Sequence, residues 1–297
     1  MAVLAGTVSG LVDVASGAVR EFGGREVRAV DGDWAVLDGR EVGRRGRHGP
    51  FAVTAPAGVT LHCVAALPGR SPTALVGAGQ AHVYLCRDGG PLEEVAGFEA
   101  AEGRDEWYTP WGEPPDVRSA AVGPDGTILV NVHVGGILRS TDAGASWRPT
   151  IDIHADVHQV LSLDGGRAVA ACAEGLAVSE DDGETWTIRD EGLHATYARA
   201  VAVAGGAVLL SVSAGPGGEQ AAVYRRPLTG SRPLERCGGG LPDDLGGNVD
   251  TAWMAGTASG TAALGTRHGD VFVSHDEGST WEQVGQGVRD LRCVVLE

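Results

Sequence analysis

Short apolar runs separated by turn residues cover the whole chain. Almost every run has four to seven residues, is rich in Val and is closed by Gly, Asp or Pro. Runs of this length are typical of β-strands, because an amphipathic helix needs an apolar pattern spread over a longer window. The pattern therefore predicts an all-β protein.

One turn pattern occurs three times, as 140–147, 179–186 and 274–281, and each copy reads Ser-x-Asp-x-Gly-x-Ser/Thr-Trp. The Ser and Asp side chains can accept backbone N–H groups within a turn, and Gly permits a positive φ. The Trp at the end can pack the turn onto a sheet. Three copies in one chain make chance coincidence a poor explanation.

This pattern resembles the Asp box of the Asp-box (BNR) repeat β-propellers, a superfamily that includes sialidases, some glucanases and the photosystem II assembly factor. The resemblance implies a propeller in which each box closes the hairpin between the third and fourth strands of a blade. A turn that satisfies its own backbone needs no ligand. We therefore expect a binding or catalytic site on the face opposite the boxes.

The spacing of the boxes predicts seven blades. Ser140 and Ser179 are 39 residues apart and Ser179 and Ser274 are 95 apart, which fits one and two blade lengths. A blade without a box is expected between them, with its last strands at 221–226 and 234–237, and earlier runs at 81–86 and 34–43 give two more. Six blades is the alternative if the short, Arg-rich segment 25–51 is not a blade.

The two ends of the chain predict how the propeller closes. Residues 288–297 read as one strand, whereas residues 3–22 read as three strands. The C-terminal strand is expected to complete the N-terminal blade, which leaves no open sheet edge. Residues 1–297 would then form a single domain.

The net charge, the apolar stretches and the cysteines exclude several classes of function. The net charge of −16 is dispersed along the chain, which disfavours nucleic acid and anionic membranes as partners. No stretch is long enough to span a bilayer, and the start lacks a basic region followed by an apolar one, so a cytoplasmic protein is predicted. The five cysteines are unclustered and lie mostly in apolar runs, which predicts buried thiols rather than disulfides or metal fingers.

Histidines near the ends of predicted strands suggest a site. Neighbouring blades are expected to bring together four of them, with two carboxylates: His133, His154, His158, His194, Asp156 and Glu174. This set predicts a divalent-metal site of three or four ligands, a general acid–base pair, or hydrogen bonds between loops. The three alternatives stay open, because a His-x3-His spacing outside a helix does not aim both rings at one point. No other cofactor is predicted.

Polar residues also recur where the inner strands are expected to start, at the mouth of the central channel. They follow a Val in five places: Arg28, Arg118, His158, Asp250 and Arg289. Arg199 is a further candidate. The connection 99–115 carries Trp107, Tyr108 and Trp111, which either stack on a sugar or peptide or cap the blade.

The residues argue against sialidase activity. The Phe-Arg-Ile-Pro motif that the resemblance would imply is absent, no Tyr–Glu pair can be assigned, and Arg118, Arg199 and Arg289 lack the context of an arginine triad. The prediction is a propeller that binds a small molecule, a glycan or a protein at the channel mouth. The alternatives are a metal-binding protein, or a glycosidase-like or lyase-like enzyme acting on a saccharide or related polar substrate. The enzyme would use His158, Glu174, Asp156 or Asp250.

Overall fold

The computed structural model describes residues 1–45, 52–69 and 71–297. Within these residues, 28 strands form seven four-stranded antiparallel sheets, and one short α-helix, α1 (Ala96–Glu99), is present. The protein is therefore an all-β, seven-bladed β-propeller. The six-bladed alternative is wrong, because the Arg-rich segment supplies three strands of a sheet whose fourth strand follows at Ala52–Thr54. Residues 46–51 of that segment lie outside the described residues.

Strands β4 to β15 form three sheets of four strands each, in chain order. These sheets make up most of one compact unit, unit 2 (Arg28–Ala170 and Ala177–Thr187). Their bounds, sheet by sheet, are β4 (Val27–Asp31), β5 (Trp34–Leu37), β6 (Glu41–Arg44) and β7 (Ala52–Thr54); β8 (Leu61–Leu67), β9 (Thr73–Ala78), β10 (Val83–Arg87) and β11 (Leu92–Glu94); β12 (Val117–Val122), β13 (Ile128–Val132), β14 (Gly136–Ser140) and β15 (Arg148–Pro149).

Unit 1 consists of Met1–Val27, Ala171–Leu176 and Ile188–Glu297, and a further sheet has residues in both units. That sheet contains β16 (Val157–Leu163), β17 (Arg167–Cys172), β18 (Gly175–Ser179) and β19 (Thr187–Arg189). Two sheets of unit 1 follow, with β20 (Tyr197–Ala204), β21 (Ala207–Ser213), β22 (Ala222–Pro227) and β23 (Glu235–Arg236); β24 (Met254–Gly256), β25 (Ala262–Gly265), β26 (Val271–Ser274) and β27 (Glu282–Gly285).

The remaining sheet of unit 1 contains both ends of the chain. Its order is β28 (Cys293–Leu296), β1 (Val3–Thr7), β2 (Gly10–Asp13) and β3 (Val19–Glu21). Strand β28 pairs antiparallel with β1, with Val3 opposite Leu296 and Gly6 opposite Cys293. The predicted completion of the N-terminal sheet is confirmed, although β28 starts five residues later than the predicted strand, at Cys293 rather than Val288.

The three repeated turns join the third and fourth strands of their sheets and share one hydrogen-bond pattern. In the first, Ser140 Oγ donates to Asp142 Oδ1 at 2.8 Å, and Asp142 accepts the Ser146 N–H at 2.9 Å and the Ser146 hydroxyl at 2.6 Å. The Ser146 bonds, followed by that of Ser140, lower the pKa of Asp142 to about 2. In each turn the Ser and Asp side chains thus find their partners within the turn.

Aromatic packing in unit 2 fixes the sheet formed by β12–β15 against α1. Phe98 is fully buried, lies edge-on to Trp147 at 5.1 Å and contacts Trp107 at 5.8 Å between ring centroids. Gly97 is needed at this contact, because a Cβ there would lie 2.2 Å from the carbonyl oxygen of Ala145. No helix in the described part of the chain is long and apolar enough to cross a membrane.

Candidate functional site

Irregular pairing places polar side chains at the start of several first strands. The register of β8 shifts between Leu61 and Cys63, that of β12 between Val117 and Ser119, and that of β20 between Ala198 and Val201. The residues at these irregularities include His62, Arg118 and Arg199. A β-bulge changes the direction in which a side chain points. At each irregularity the polar side chain can therefore point away from the apolar side chains that follow it in the strand.

In unit 2, basic groups at these strand starts face acids that precede the first strand of the next sheet. His62 Nε2 lies 3.5 Å from Asp116 Oδ1. Arg118 is close enough to Asp116 and Asp156 to lower the pKa of both carboxyls, although for both acids burial is the largest single effect and acts in the opposite direction. His62 and Asp116 were not predicted from the sequence, although His62 follows an apolar strand-starting residue as Arg118 does.

Unit 1 has two pairs of the same kind. Arg199 Nε lies 3.5 Å from Asp250 Oδ1, and Arg292 donates to Glu26. Two predicted strand starts were wrong: β24 begins at Met254 rather than at Val249, and β28 begins at Cys293 rather than at Val288. Asp250 therefore precedes its strand and faces Arg199, while Arg289 is exposed in the connection before β28.

Three predicted site residues of unit 2 lie together, and we call them the His–Asp–His cluster: His133, Asp156 and His158. His133 Nε2 lies 3.3 Å from Asp156 Oδ1, and His158 Nε2 lies 3.6 Å from Asp156 Oδ2. The side chain of His158 is fully buried and that of His133 is 5% exposed, whereas that of Asp156 is 23% exposed. The cluster thus consists of two buried imidazoles and one carboxylate that is partly exposed to solvent.

Local backbone geometry sets these positions. His133 lies in the tight turn between β13 and β14, and Val134 in the same turn has a φ of +44°. Asp156 has a φ of +47° and follows a 3₁₀ turn at Ile153–Ala155. Positive φ is unusual for a β-branched residue, and such conformations occur at functional sites more often than elsewhere. The cluster and the first repeated turn lie at opposite ends of β14.

Asp156 is the electrostatic centre of the cluster. Burial alone would raise the pKa of its carboxyl, but the interactions with His133, His158 and Arg118 outweigh it, so the pKa lies below its ordinary value. Asp156 Oδ1 is nevertheless buried without a hydrogen bond of good geometry. An ionised carboxylate with one unsatisfied buried oxygen is suited to accept a cation or a donor from a ligand.

Asn131 holds β16 in place beneath the cluster. Its fully buried amide donates to the carbonyl of Val157 at 2.6 Å and accepts from Ser119 Oγ at 3.3 Å. Ser119 Oγ in turn accepts the N–H of Val160 at 3.0 Å. These bonds fix the backbone on both sides of His158. The sequence indicates only that Asn131 is part of a strand. The residues that hydrogen-bond to its side chain are distant in sequence and cannot be identified from the neighbouring residues.

The connection before β12 contributes one exposed aromatic ring to the cluster. Trp111 is 60% exposed, and its ring centroid lies 5.1 Å from that of His133. Trp107 is instead buried, packs against Phe98 and is covered by the guanidinium of Arg104. Of the two roles predicted for Trp107, stacking on a ligand or capping the blade, its position in the core favours capping. Tyr108 is 44% exposed.

The other predicted site residues do not join this cluster. His154 is exposed, and its backbone N–H donates to Asp152. His194 lies in unit 1, where its ring stacks on Tyr224 and Nδ1 lies 2.7 Å from the Tyr224 hydroxyl oxygen. Glu174 is an exposed residue of the turn before β18.

A second group of titratable residues in unit 2 was not predicted from the sequence. His82 Nδ1 lies 3.0 Å from Glu99 Oε1 and 3.4 Å from Glu94 Oε1. Arg104 donates to Glu99 Oε2 at 2.8 Å and to the carbonyl of Ala81 at 2.7 Å. Here a cationic side chain already compensates one of the two carboxylates.

A cavity of about 440 Å³ also lies in unit 2, but at the distal ends of β8, β12 and β16. Its lining is mostly apolar or backbone, with Ser162 and Asp164 as its polar side chains: Ala66, Leu67, Pro68, Val122, Gly123, Pro124, Ser162, Leu163 and Asp164. Asp156 and His158 lie at the other end of β16. The cavity therefore has little of the chemistry that the His–Asp–His cluster offers.

Comparison with protein-family models and with curated proteins gives no match. Solved structures that match include YCF48 bound to D1 peptide, at 14% identity over 89% of this chain and 74% of that chain, with a TM-score of 0.54. A catalytically inactive virginiamycin B lyase from Staphylococcus aureus with quinupristin matches at 12% identity over 89% and 85%, with a TM-score of 0.64. These identities show the fold alone.

The GH74 xyloglucanase from Xanthomonas campestris also matches, at 16% identity and a TM-score of 0.60. The match covers 95% of this chain but 46% of the xyloglucanase. The chain thus corresponds to less than half of that enzyme. The propellers it resembles include a peptide-bound protein and enzymes, so the fold leaves both classes of function open.

Proposed function

We propose that the protein is a non-catalytic Asp-box (BNR) repeat propeller that binds a polar ligand at the His–Asp–His cluster. The observation that carries the proposal is the exposed indole of Trp111 beside two buried imidazoles and a carboxylate with an unsatisfied oxygen. A flat apolar ring next to a few convergent polar groups is the usual composition of a ligand site. The repeated turns, whose Ser and Asp side chains are satisfied internally, serve the fold.

A polypeptide segment is the ligand we favour, over a glycan or another small molecule. One structural neighbour, YCF48, is bound to D1 peptide in its solved structure, so a propeller of this fold can hold a peptide. The half-exposed ring of Tyr108, close in sequence to Trp111, would extend the contact surface along an extended chain. The chain's net charge of −16 supports the exclusion of nucleic acid. A cytoplasmic location is part of the proposal.

Peptide and oligosaccharide arrays test this function. Wild-type protein should retain a defined set of peptides, and Trp111→Ala should weaken their binding at least about tenfold, as expected for a central aromatic contact. Val19→Ala is the control, because Val19 is 49% exposed on β3 of unit 1. Absence of any ligand, or equal binding by wild type and Trp111→Ala, would overturn the proposal; retention of oligosaccharides alone would replace the peptide by a glycan.

An enzyme is the second candidate, because two imidazoles beside one carboxylate can act as a general acid–base pair. A lyase-like or ester-cleaving reaction suits this cluster better than glycoside hydrolysis, which uses two carboxylates flanking the scissile bond. Hydrolysis or elimination by wild type that is lost in His133→Asn but kept in His154→Ala would establish it. No turnover of ester, glycoside or uronate substrates by wild type would exclude it for those classes.

Sialidase activity is not proposed. Arg199 faces Asp250 and Arg118 lies beside Asp156, so two of the three candidate guanidiniums already have carboxylate neighbours. Arg289 is exposed before β28. These surroundings do not support a triad that grips a substrate carboxylate.

A further inference from the structure

We infer that His133, Asp156 and His158 bind one divalent transition-metal ion of the Zn²⁺ class. The inference rests on the proposed function in that both assign binding to the same cluster. It goes further by naming an inorganic ion that would occupy the site whether or not an organic ligand is present.

The spacing of the donor atoms fits such an ion. Zn²⁺ binds imidazole nitrogen and carboxylate oxygen at about 2.0–2.2 Å, which separates two tetrahedral ligands by roughly 3.2–3.6 Å. The two imidazole-to-carboxylate separations in the cluster are 3.3 Å and 3.6 Å, and all three ligand atoms lie within 4.8 Å of one another. Small rotations of the three side chains would bring all three ligand atoms to bonding distance of one ion.

The donor chemistry selects the class of metal. Two imidazoles and one carboxylate suit Zn²⁺, Co²⁺, Ni²⁺ or Cu²⁺, whereas Ca²⁺ and Mg²⁺ prefer sites made of oxygen ligands alone. A metal would also provide a partner for Asp156 Oδ1, which is buried without a hydrogen bond of good geometry.

The surroundings support a fixed site with room for a further ligand. The bond from Asn131 to the carbonyl of Val157 holds the backbone next to His158, and Trp111 covers the ring of His133. Outer partners of this kind orient metal ligands and tune affinity. Three protein ligands leave a fourth position for water or a ligand atom, as in open zinc sites.

The cluster of His82, Glu94 and Glu99 provides an internal comparison. These residues also place one nitrogen and two oxygens within 4.8 Å of one another. Arg104, however, donates to Glu99 at 2.8 Å and supplies a positive charge at that point. Because the charge is compensated, this group is an ion-pair network, and His82→Ala serves as a matched control.

Metal titration tests the inference. Tag-free protein treated with a chelator is titrated with Zn²⁺ against a chromophoric competitor, and Co²⁺ is used to record the visible absorption of a low-symmetry site. We expect one equivalent per chain, with affinity lowered at least about tenfold in Asp156→Asn and in His133→Gln. His82→Ala and His154→Ala should bind as wild type does.

The choice of variants separates loss of metal binding from loss of folding. His158 is fully buried, so its substitution risks unfolding, whereas Asp156→Asn preserves shape at a partly exposed position; circular dichroism of each variant checks folding. No stoichiometric metal in the wild type would overturn the inference. Equal affinity in folded Asp156→Asn, or loss of the site in His82→Ala instead, would also overturn it.

The same samples separate this inference from the proposed function. Metal binding with no peptide or oligosaccharide retained would support the metal site and refute the proposed function. Peptide binding by metal-free protein that shows no Zn²⁺ or Co²⁺ affinity would do the reverse.

Discussion

Replacing the Trp of the first repeated turn should destabilise the protein strongly. Trp147 is 7% exposed, lies edge-on to Phe98 at 5.1 Å and donates its indole N–H to the carbonyl of Gly144 at 3.0 Å. The ring therefore connects the turn to the core around α1. Trp147→Ala removes the packing, the hydrogen bond and the aromatic contact together.

The structure gives the magnitude. A buried Trp removes about 150–250 Å² from water, which at about 25 cal/mol per Å² corresponds to roughly 4–6 kcal/mol as an upper bound. Measured Trp→Ala costs in protein cores are about 3–5 kcal/mol. We expect about 4 kcal/mol for Trp147→Ala. Trp147→Phe should cost about 1–2 kcal/mol, because it keeps most of the apolar contact but leaves the Gly144 carbonyl without its donor.

The second repeated turn supplies the matched control. Trp186 is only half-buried, and its indole N–H donates to Thr150 Oγ1 at 3.1 Å rather than to its own turn. Trp186→Ala should therefore cost about half as much, roughly 2 kcal/mol. Equilibrium urea unfolding followed by far-UV circular dichroism measures the three variants. If Trp186→Ala lowers the free energy of unfolding as much as Trp147→Ala does, the role assigned to packing against Phe98 is wrong.

The remaining predictions concern charge, packing and thiol chemistry. Carbon-13 NMR should show the Asp142 and Asp276 carboxyls titrating near pH 2, because each pKa is lowered to about 2 by the bonds of its own turn. These carboxylates then contribute stability above about pH 4 that is lost as the pH falls toward 2, and a midpoint near 4 would contradict the assigned bonds. Gly6→Ala should cost about 1–3 kcal/mol in thermal or urea unfolding, because its Cβ would lie 2.5 Å from Cys293 Sγ and 2.6 Å from the Val27 carbonyl. Gly238→Ala, whose Cβ meets nothing within 4 Å, should be neutral; equal losses would refute the clash. All five thiols should resist alkylation at pH 8 until the protein unfolds, since all are buried and burial raises the pKa of Cys63 to about 12; rapid native labelling would show that they are accessible.

The fold could be predicted because its signals are local. A turn such as Ser140–Trp147 carries its own acceptors, donors and positive-φ glycine, so the sequence alone specifies its geometry. Pairing of the chain ends followed from counting strands. The start of β28 was placed too early, because residues 288–292 lead into the apolar run 293–296 without a Gly or Pro but fold as a connection.

The site was only partly predictable, because contacts between distant segments decide it. His133, Asp156 and His158 were proposed together since they occur at the end of one strand and the start of the next sheet. His154 lies in the same connection as Asp156, but the 3₁₀ turn that exposes it leaves no mark on the apolar pattern. Burial of Trp107 likewise depends on α1, which is too short to stand out from a connection in the sequence.

Two kinds of aspartate in this protein have a lowered pKa for different reasons, and the difference locates function. Asp276 accepts from Ser274 and twice from Thr280, so all its bonds lie within one turn and no oxygen needs a further partner. The pKa of Asp156 is lowered by His133, His158 and Arg118, which other segments of the chain supply, and its Oδ1 is buried without a hydrogen bond of good geometry. A low pKa alone therefore does not mark a site here. A buried acceptor that the fold leaves unsatisfied does, because folding tolerates that cost where binding later removes it.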